Sequence, residues 1–182
     1  MDRQAALDYV RSRTEKETTL RHLITVEGIM RRLAEHLGED ADRWALAGLF
    51  HDLDMELTHH DLSKHAYLAA EWLREDGIDE DIVNTVLAHA HEQYRTDRMS
   101  QGIVHADAVA GFLVACALVR PEKTAGMKVS SVRKKLKEKS FAPGVERPEI
   151  LNVEEKMQIP LDEFLAIAIE GLQSVAEEAG LS

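Results

Sequence analysis

An all-α fold, a single helical bundle, is predicted by three observations. Apolar residues recur at steps of three and four through most of the chain. No stretch alternates with period two long enough for a strand. Cap and stop residues also punctuate the periodic segments at helix-length intervals. At 182 residues the chain is read as one domain, 1–182, able to bury about 70% of its unfolded surface.

Each element follows from its local pattern. Leu23, Val26, Met30, Leu33 and Leu37 mark an amphipathic helix from about Glu17 to Leu37, with Gly38 as its stop. Asp40 or Asp42 caps the next, which carries Trp44, Ala47, Gly48 and His51 on one stripe. Ala47 and Gly48 are small, so a neighbouring helix can approach closely there. A polar loop around Thr58, His59 and His60 is followed by a helix from about Leu62 to Glu75, ending near Gly77. Asp79 caps the stretch Ile82 to His89. After a polar connection, Tyr94 to Gln101, an apolar helix runs from Ile103 to Val119 and stops at Pro121. A lysine-rich helix, a loop from Phe141 to Pro148 and an amphipathic helix from about Leu161 to Ala179 complete the chain.

Composition excludes several classes. The charged beginning, Met1 to Arg11, has no apolar signal region. The longest apolar run, Ala106 to Val119, is interrupted by Asp107 and is too short to span a bilayer. A soluble cytoplasmic protein with no membrane partner is expected. A lone cysteine, Cys116, precludes an intramolecular disulfide, and its apolar neighbours make it a core residue. The net charge of -11 argues against whole-surface nucleic-acid binding. Residues 120–147 nevertheless carry nine Lys or Arg against three Glu, a local +6 that leaves -17 for the rest. That segment is either a solvated basic face or a place for an anionic ligand.

Metal-donor side chains punctuate the apolar helices. The doublet His51-Asp52 ends one of them, and His22 lies at the edge of another helix's apolar face. Asp107 shares a stripe with Ile103, Ala110 and Val114, where an unpaired carboxylate costs several kcal/mol unless a cation or several donors meet it. His65 and His89 stand at the margins of two further apolar stripes, while His91 points to the other side of its helix. His105 reads as a supporting or helix-packing residue; His36, His59 and His60 read as surface. Nitrogen and oxygen donors in this mixture suit Fe, Mn, Ni, Co or Zn.

In that order on an all-helical chain, His22, His51-Asp52 and Asp107 resemble the HD superfamily of metal-dependent phosphohydrolases, over about residues 18–119. Residues 120–182 then form a helical extension. There is a further similarity to small HDIG-type proteins, including dinucleoside-polyphosphate hydrolases. The resemblance implies that His22, His51, Asp52 and Asp107 bind one divalent ion. In dinuclear members two more histidines hold a second, which points to His65 and His89, with Asp52 as the catalytic bridge. Many relatives follow the doublet with Gly-Lys, whereas this chain has Leu53-Asp54-Met55-Glu56. The phosphate-binding lysine is therefore missing there, and Arg120, Lys123 and Arg133 are the candidates to replace it. Asp54 and Glu56 flank the site as acid, base or orienting group; Asp54 is favoured, because a short turn returns it toward the metal.

The expected function is hydrolysis of a phosphomonoester or phosphoanhydride of a nucleotide or small phosphometabolite, by attack of a metal-bound water. The same ligands serve an HD-fold di-iron oxygenase, and a nucleotide sensor with a vestigial site is the third reading. The long apolar helix and the C-terminal amphipathic helix leave a homodimer open.

Overall fold

A computed structural model describes residues 1–59 and 61–182. His60, expected at the surface, lies outside the described residues. Among the described residues there are helices and turns and no strand, as the patterning requires.

Helix α1 (Arg3–Arg11) opens with Asp2, whose carboxylate accepts from the amide of Ala5. Helix α2 (Glu17–Leu37) has the bounds expected, and Gly38 ends it in the left-handed region at φ 70. Helix α3 (Ala41–Phe50) is capped by Asp40, which accepts from the amides of Asp42 and Arg43. A turn leads into a short α4 (Met55–Thr58).

Helix α5 (Tyr67–Glu75) begins later than its apolar stripe suggests. The Asp61 side chain accepts from the amide and hydroxyl of Ser63, giving that segment a turn instead of a helix. Ala66 then sits at φ 67, which no right-handed helix accommodates. Helix α6 (Glu80–Ala90) follows Asp79, whose carboxylate does not cap it but pairs with Arg43 at 2.7 Å. His91 lies beyond α6 in extended backbone, not on its far face.

Helix α7 (Arg98–Leu118) starts ahead of its apolar run, because Asp97 and Ser100 form a reciprocal capping box. It is consequently long and apolar enough to cross a membrane by length and composition, unlike the run read from sequence. However, 61% of its apolar window is buried inside the protein. Helices α8 (Val129–Leu136), α9 (Arg147–Leu151), α10 (Val153–Met157) and α11 (Leu161–Ser174) follow, the last shorter than its amphipathic pattern.

One apolar cluster runs from Ala6 to Leu181 and has α2, α3 and α7 at its centre. Two close crossings lock it. A Cβ on Gly48 would lie 2.9 Å from the Val26 carbonyl oxygen and 3.0 Å from the Glu27 amide nitrogen, so α3 crosses α2 on bare backbone. A Cβ on Gly171 would lie 2.6 Å from the Ile29 Cα, and α11 closes on the other side of α2 in the same way. The consequence is functional: His51, one turn after Gly48, is held tightly against α2, which carries His22.

Buried Glu27 is paired with Arg3, whose Nη2 donates to Glu27 Oε2 at 3.0 Å and to Glu178 Oε2 at 3.1 Å. This ties α1 and the C-terminal turn to α2.

Candidate metal centre

Four imidazoles and two carboxylates converge where α2, the α3 end, the turn before α5, α6 and α7 meet. They form two adjoining triads, His22–His51–Asp107 and Asp52–His65–His89, each with one donor atom per residue within 4.8 Å of the others. In the first, His22 Nε2 lies 2.9 Å from Asp107 Oδ1 and 3.2 Å from His51 Nε2. In the second, Asp52 Oδ1 lies 3.1 Å from His89 Nε2 and 3.3 Å from His65 Nε2. The two Nε2 atoms there are 3.0 Å apart.

Asp52 joins the triads. Its Oδ1 belongs to the second, while its Oδ2 faces the first, 3.5 Å from His51 Nε2 and 3.8 Å from His22 Nε2. Oδ1 is buried and accepts no hydrogen bond. A buried carboxylate oxygen without a donor, beside two imidazole nitrogens, is the arrangement a cation completes.

Ring orientation is set from behind. His51 Nδ1 is 2.8 Å from the Gly48 carbonyl oxygen, and His89 Nδ1 meets the Val86 carbonyl. His65 Nδ1 is 2.8 Å from Asp54 Oδ1. Nδ1–H donates outward in each case, leaving the Nε2 lone pair pointing inward. Lone pairs facing each other at about hydrogen-bond distance repel unless a proton or a metal ion lies between them. The donor set therefore fits a pair of divalent first-row ions.

The electrostatics agree. Burial alone would lower the pKa of His51, but Asp52 and Asp107 more than offset it and carry it up to about 9. His65 is likewise opposed by burial and raised, by Asp52 and Asp54, to about 9. Burial pushes the two carboxylates up, yet His51, His65 and His89 hold Asp52 well below its ordinary value, and His22 and His51 do the same for Asp107. The cluster thus demands positive charge, and protons compete with metal for it.

Burial is graded across the centre. His51 is 0% exposed and Asp52 8%, whereas His22 is 25% and Asp107 34% exposed. Asp107 is therefore not sealed in an apolar helix face, as its neighbours in sequence suggested. Its side chain is partly exposed, on the solvent side of the cluster with His22.

Asp54 is fully buried and takes the orienting place. Oδ1 meets His65 Nδ1 and Oδ2 accepts from the Ala69 amide at 3.0 Å, so neither oxygen faces the open side. Thr58 donates its hydroxyl to the Asp54 carbonyl at 2.9 Å and closes the same turn. Glu56 instead accepts from the amides of Glu15 and Lys16 at 3.0 and 3.1 Å, anchoring the start of α2.

Arg120, Lys123 and Arg133 bond acceptors outside the donor cluster. Arg120 donates to the carbonyls of Lys123 and Ala125, Lys123 to that of Gly180, and Arg133 to both Asp162 oxygens. Asp107 and Leu118 are separated by about 16 Å of helix rise, and Arg120 lies farther still. Among the described residues, none of the three basic groups bonds a cluster residue. His105 proves a packing residue, its Nδ1 against the Glu149 carbonyl and its ring edge-on to Phe164.

Sequence reasoning missed the surroundings of His65. His91 Nε2 donates to the His65 carbonyl at 2.9 Å, and the His91 ring stacks on Tyr67. Arg95 donates from Nε to the Ala88 carbonyl at 3.0 Å and from Nη2 to that of His89 at 3.4 Å, closing the end of α6. A helix-end basic residue beside a candidate ligand was the one available signal.

A helical fold with a buried His- and Asp-rich cluster that could hold metal defines the class, and the comparisons specify which. The HD domain model matches residues 19–111, half of the chain, and the protein belongs to that family. The chain is 33% identical over 94 residues to ribonuclease Y of Pseudothermotoga lettingae, covering 52% of this chain and 18% of that protein. It is 27% identical over 106 residues to ribonuclease Y of Nitratidesulfovibrio vulgaris (strain DP4), covering 58% and 20%. Against ribonuclease Y of Thermosipho melanesiensis it is 31% identical over 94 residues, covering 52% and 18%. The chain thus spans about a fifth of the length of these relatives. No solved structure matches it.

Proposed function

We propose that this protein is a metal-dependent phosphohydrolase that cleaves a phosphomonoester or phosphoanhydride of a nucleotide or small phosphometabolite. The observation that carries this reading is the position of Asp52, with one oxygen turned to each of two His-rich triads. HD-domain membership supports hydrolase chemistry in general. Relatives named ribonuclease support a nucleotide-derived substrate.

His22, His51 and Asp107 would hold one ion, His65 and His89 the other, with Asp52 between them. Ions bound there would make a water acidic enough to supply hydroxide near neutral pH and would neutralise phosphoryl oxygens. Asp54 keeps the His65 ring in its tautomer, and Gly48 and Val86 do so for His51 and His89. The buried side of the centre excludes water from behind. A phosphoryl group would approach from the side of the partly exposed His22 and Asp107. The doublet is followed by Leu53-Asp54-Met55-Glu56, with no lysine, so bound ions would have to meet much of the phosphate charge.

The test is metal analysis of anaerobically purified protein, followed by a phosphate-release screen over mononucleotides, dinucleoside polyphosphates, sugar phosphates and RNA. Metal-dependent release from a small phosphate ester or anhydride supports the proposal. Two irons with a mixed-valent paramagnetic signal and substrate-dependent oxygen uptake would overturn it in favour of an oxygenase. Cleavage of RNA alone would overturn the small-substrate assignment.

A further inference from the structure

We propose that Tyr67, His91 and Tyr94 form a nucleobase platform beside the metal centre, which makes its substrate a nucleotide. This inference rests on the phosphohydrolase reading above and narrows its substrate class.

The rings are arranged for stacking. Tyr67 and His91 have centroids 4.3 Å apart with planes tilted by 32°. Tyr94 stands edge-on to both, at 6.4 and 6.5 Å. Two of the chain's three tyrosines therefore sit at one place. The large aromatic side chains of the core, Phe50, Phe112 and Phe164, are fully buried, whereas Tyr67 remains 37% exposed. Core packing does not account for a stacked pair with an open side.

The platform is coupled to the centre through His65. Its imidazole enters the donor cluster, while its carbonyl accepts from His91 Nε2 at 2.9 Å. Ala66, between His65 and Tyr67, adopts φ 67. A non-glycine residue there costs about 1 kcal/mol or more. That backbone turn sends the His65 ring inward and leaves the Tyr67 ring at the surface. Gln93 adds a polar edge, its amide donating to the Tyr67 hydroxyl at 3.2 Å.

A ligand that uses both this surface and the donor cluster needs a flat π face and a phosphoryl group. A nucleotide has both; a sugar phosphate or inorganic phosphate lacks the flat face. Stacking of a base on an aromatic side chain is worth about 1–3 kcal/mol by alanine substitution, a loss of about 5- to 150-fold in affinity. The base can belong to a free nucleotide or to the end of an RNA strand.

The experiment is calorimetric titration of the metal-loaded protein with AMP, adenosine, ribose 5-phosphate and a ten-residue oligoadenylate. Wild type is compared with Tyr67→Ala, Tyr67→Phe and Tyr94→Ala, with metal content measured in each. Tyr67→Ala is expected to weaken AMP and adenosine by about tenfold, to leave ribose 5-phosphate and metal content unchanged, and to be rescued by Tyr67→Phe. Tyr94→Ala serves if Tyr67→Ala does not fold. Tighter binding of oligoadenylate than of AMP would identify a strand end as the source of the base; equal or weaker binding, a free nucleotide. Unchanged AMP affinity in the alanine variants, equal weakening of ribose 5-phosphate, or no AMP binding to wild type overturns the platform. If adenosine binding falls while wild type releases no phosphate from any nucleotide, the platform stands and the phosphohydrolase reading fails.

Discussion

Asp54 shows how one side chain off the metal can decide occupancy. Its oxygens are committed to His65 Nδ1 and the Ala69 amide, so the carboxylate fixes a ring and a helix start together. Asp54→Asn can keep only part of that arrangement. It is expected to weaken the second ion by about 10–100-fold while sparing the first. Titration of metal into chelator-treated protein checks this, and equal loss from both triads would contradict it. Cys116 makes a second residue-scale prediction. Burial pushes its thiol up to about 11, so the thiolate is scarce at neutral pH. Alkylation of the folded protein should be slow at pH 7 and should quicken about tenfold per pH unit until close to pH 11. Rapid, pH-independent labelling would show that the thiol is not buried. At this scale the six candidate ligands were legible through the family resemblance carried by His22, the HD doublet and Asp107, since helical stripes alone did not single out His65 and His89. Asp54's orienting contact was not, because it depends on how the chain turns between Phe50 and Tyr67. Asp107 was read as more buried than it is, since helical neighbours describe a face but not the cleft beside it.

At the scale of elements, the glycine crossings place the donors. Gly48 brings α3 onto the backbone of α2, and His51 follows one turn later. Gly48→Ala forces atoms apart where backbone cannot yield. It should cost about 1–3 kcal/mol of stability and weaken the His22–His51 triad more than the other. Denaturant unfolding and metal titration measure the two effects; an unperturbed variant would refute the tight crossing. Element existence was read well from periodicity, and α2 matches to the residue. Starts were read less well. The α5 stripe continues backward through His65 in sequence, yet the Asp61–Ser63 turn and the left-handed Ala66 break it. The α7 start was missed for the opposite reason: a polar first turn, sealed by Asp97 and Ser100, looked like loop.

For the whole molecule, the basic segment and the donor cluster separate. Arg133 answers Asp162 and Arg147 the Leu136 carbonyl, not the cluster. Their charge was visible in the sequence, but the separation of Arg120 from Asp107 was not, because it follows from the length of α7. The candidate donors come from helices and turns far apart in the chain, so a metal held by them would link binding to folding. A divalent ion at 100 times its dissociation constant should stabilise the protein by about 2.7 kcal/mol. Thermal melts with and without a chelator check that; a melting temperature indifferent to metal would oppose it.

The central claim is that Asp52 joins two metal positions, and metal stoichiometry tests it most directly. Wild type, His22→Ala, His89→Ala and Asp52→Ala are purified anaerobically, and bound first-row metal is counted per chain. The account predicts two ions in wild type, one in each single-triad histidine variant and fewer than one in Asp52→Ala. Full metal content in the Asp52 variant, or a wild type that takes up no more than one ion when metal is supplied in excess, would contradict it.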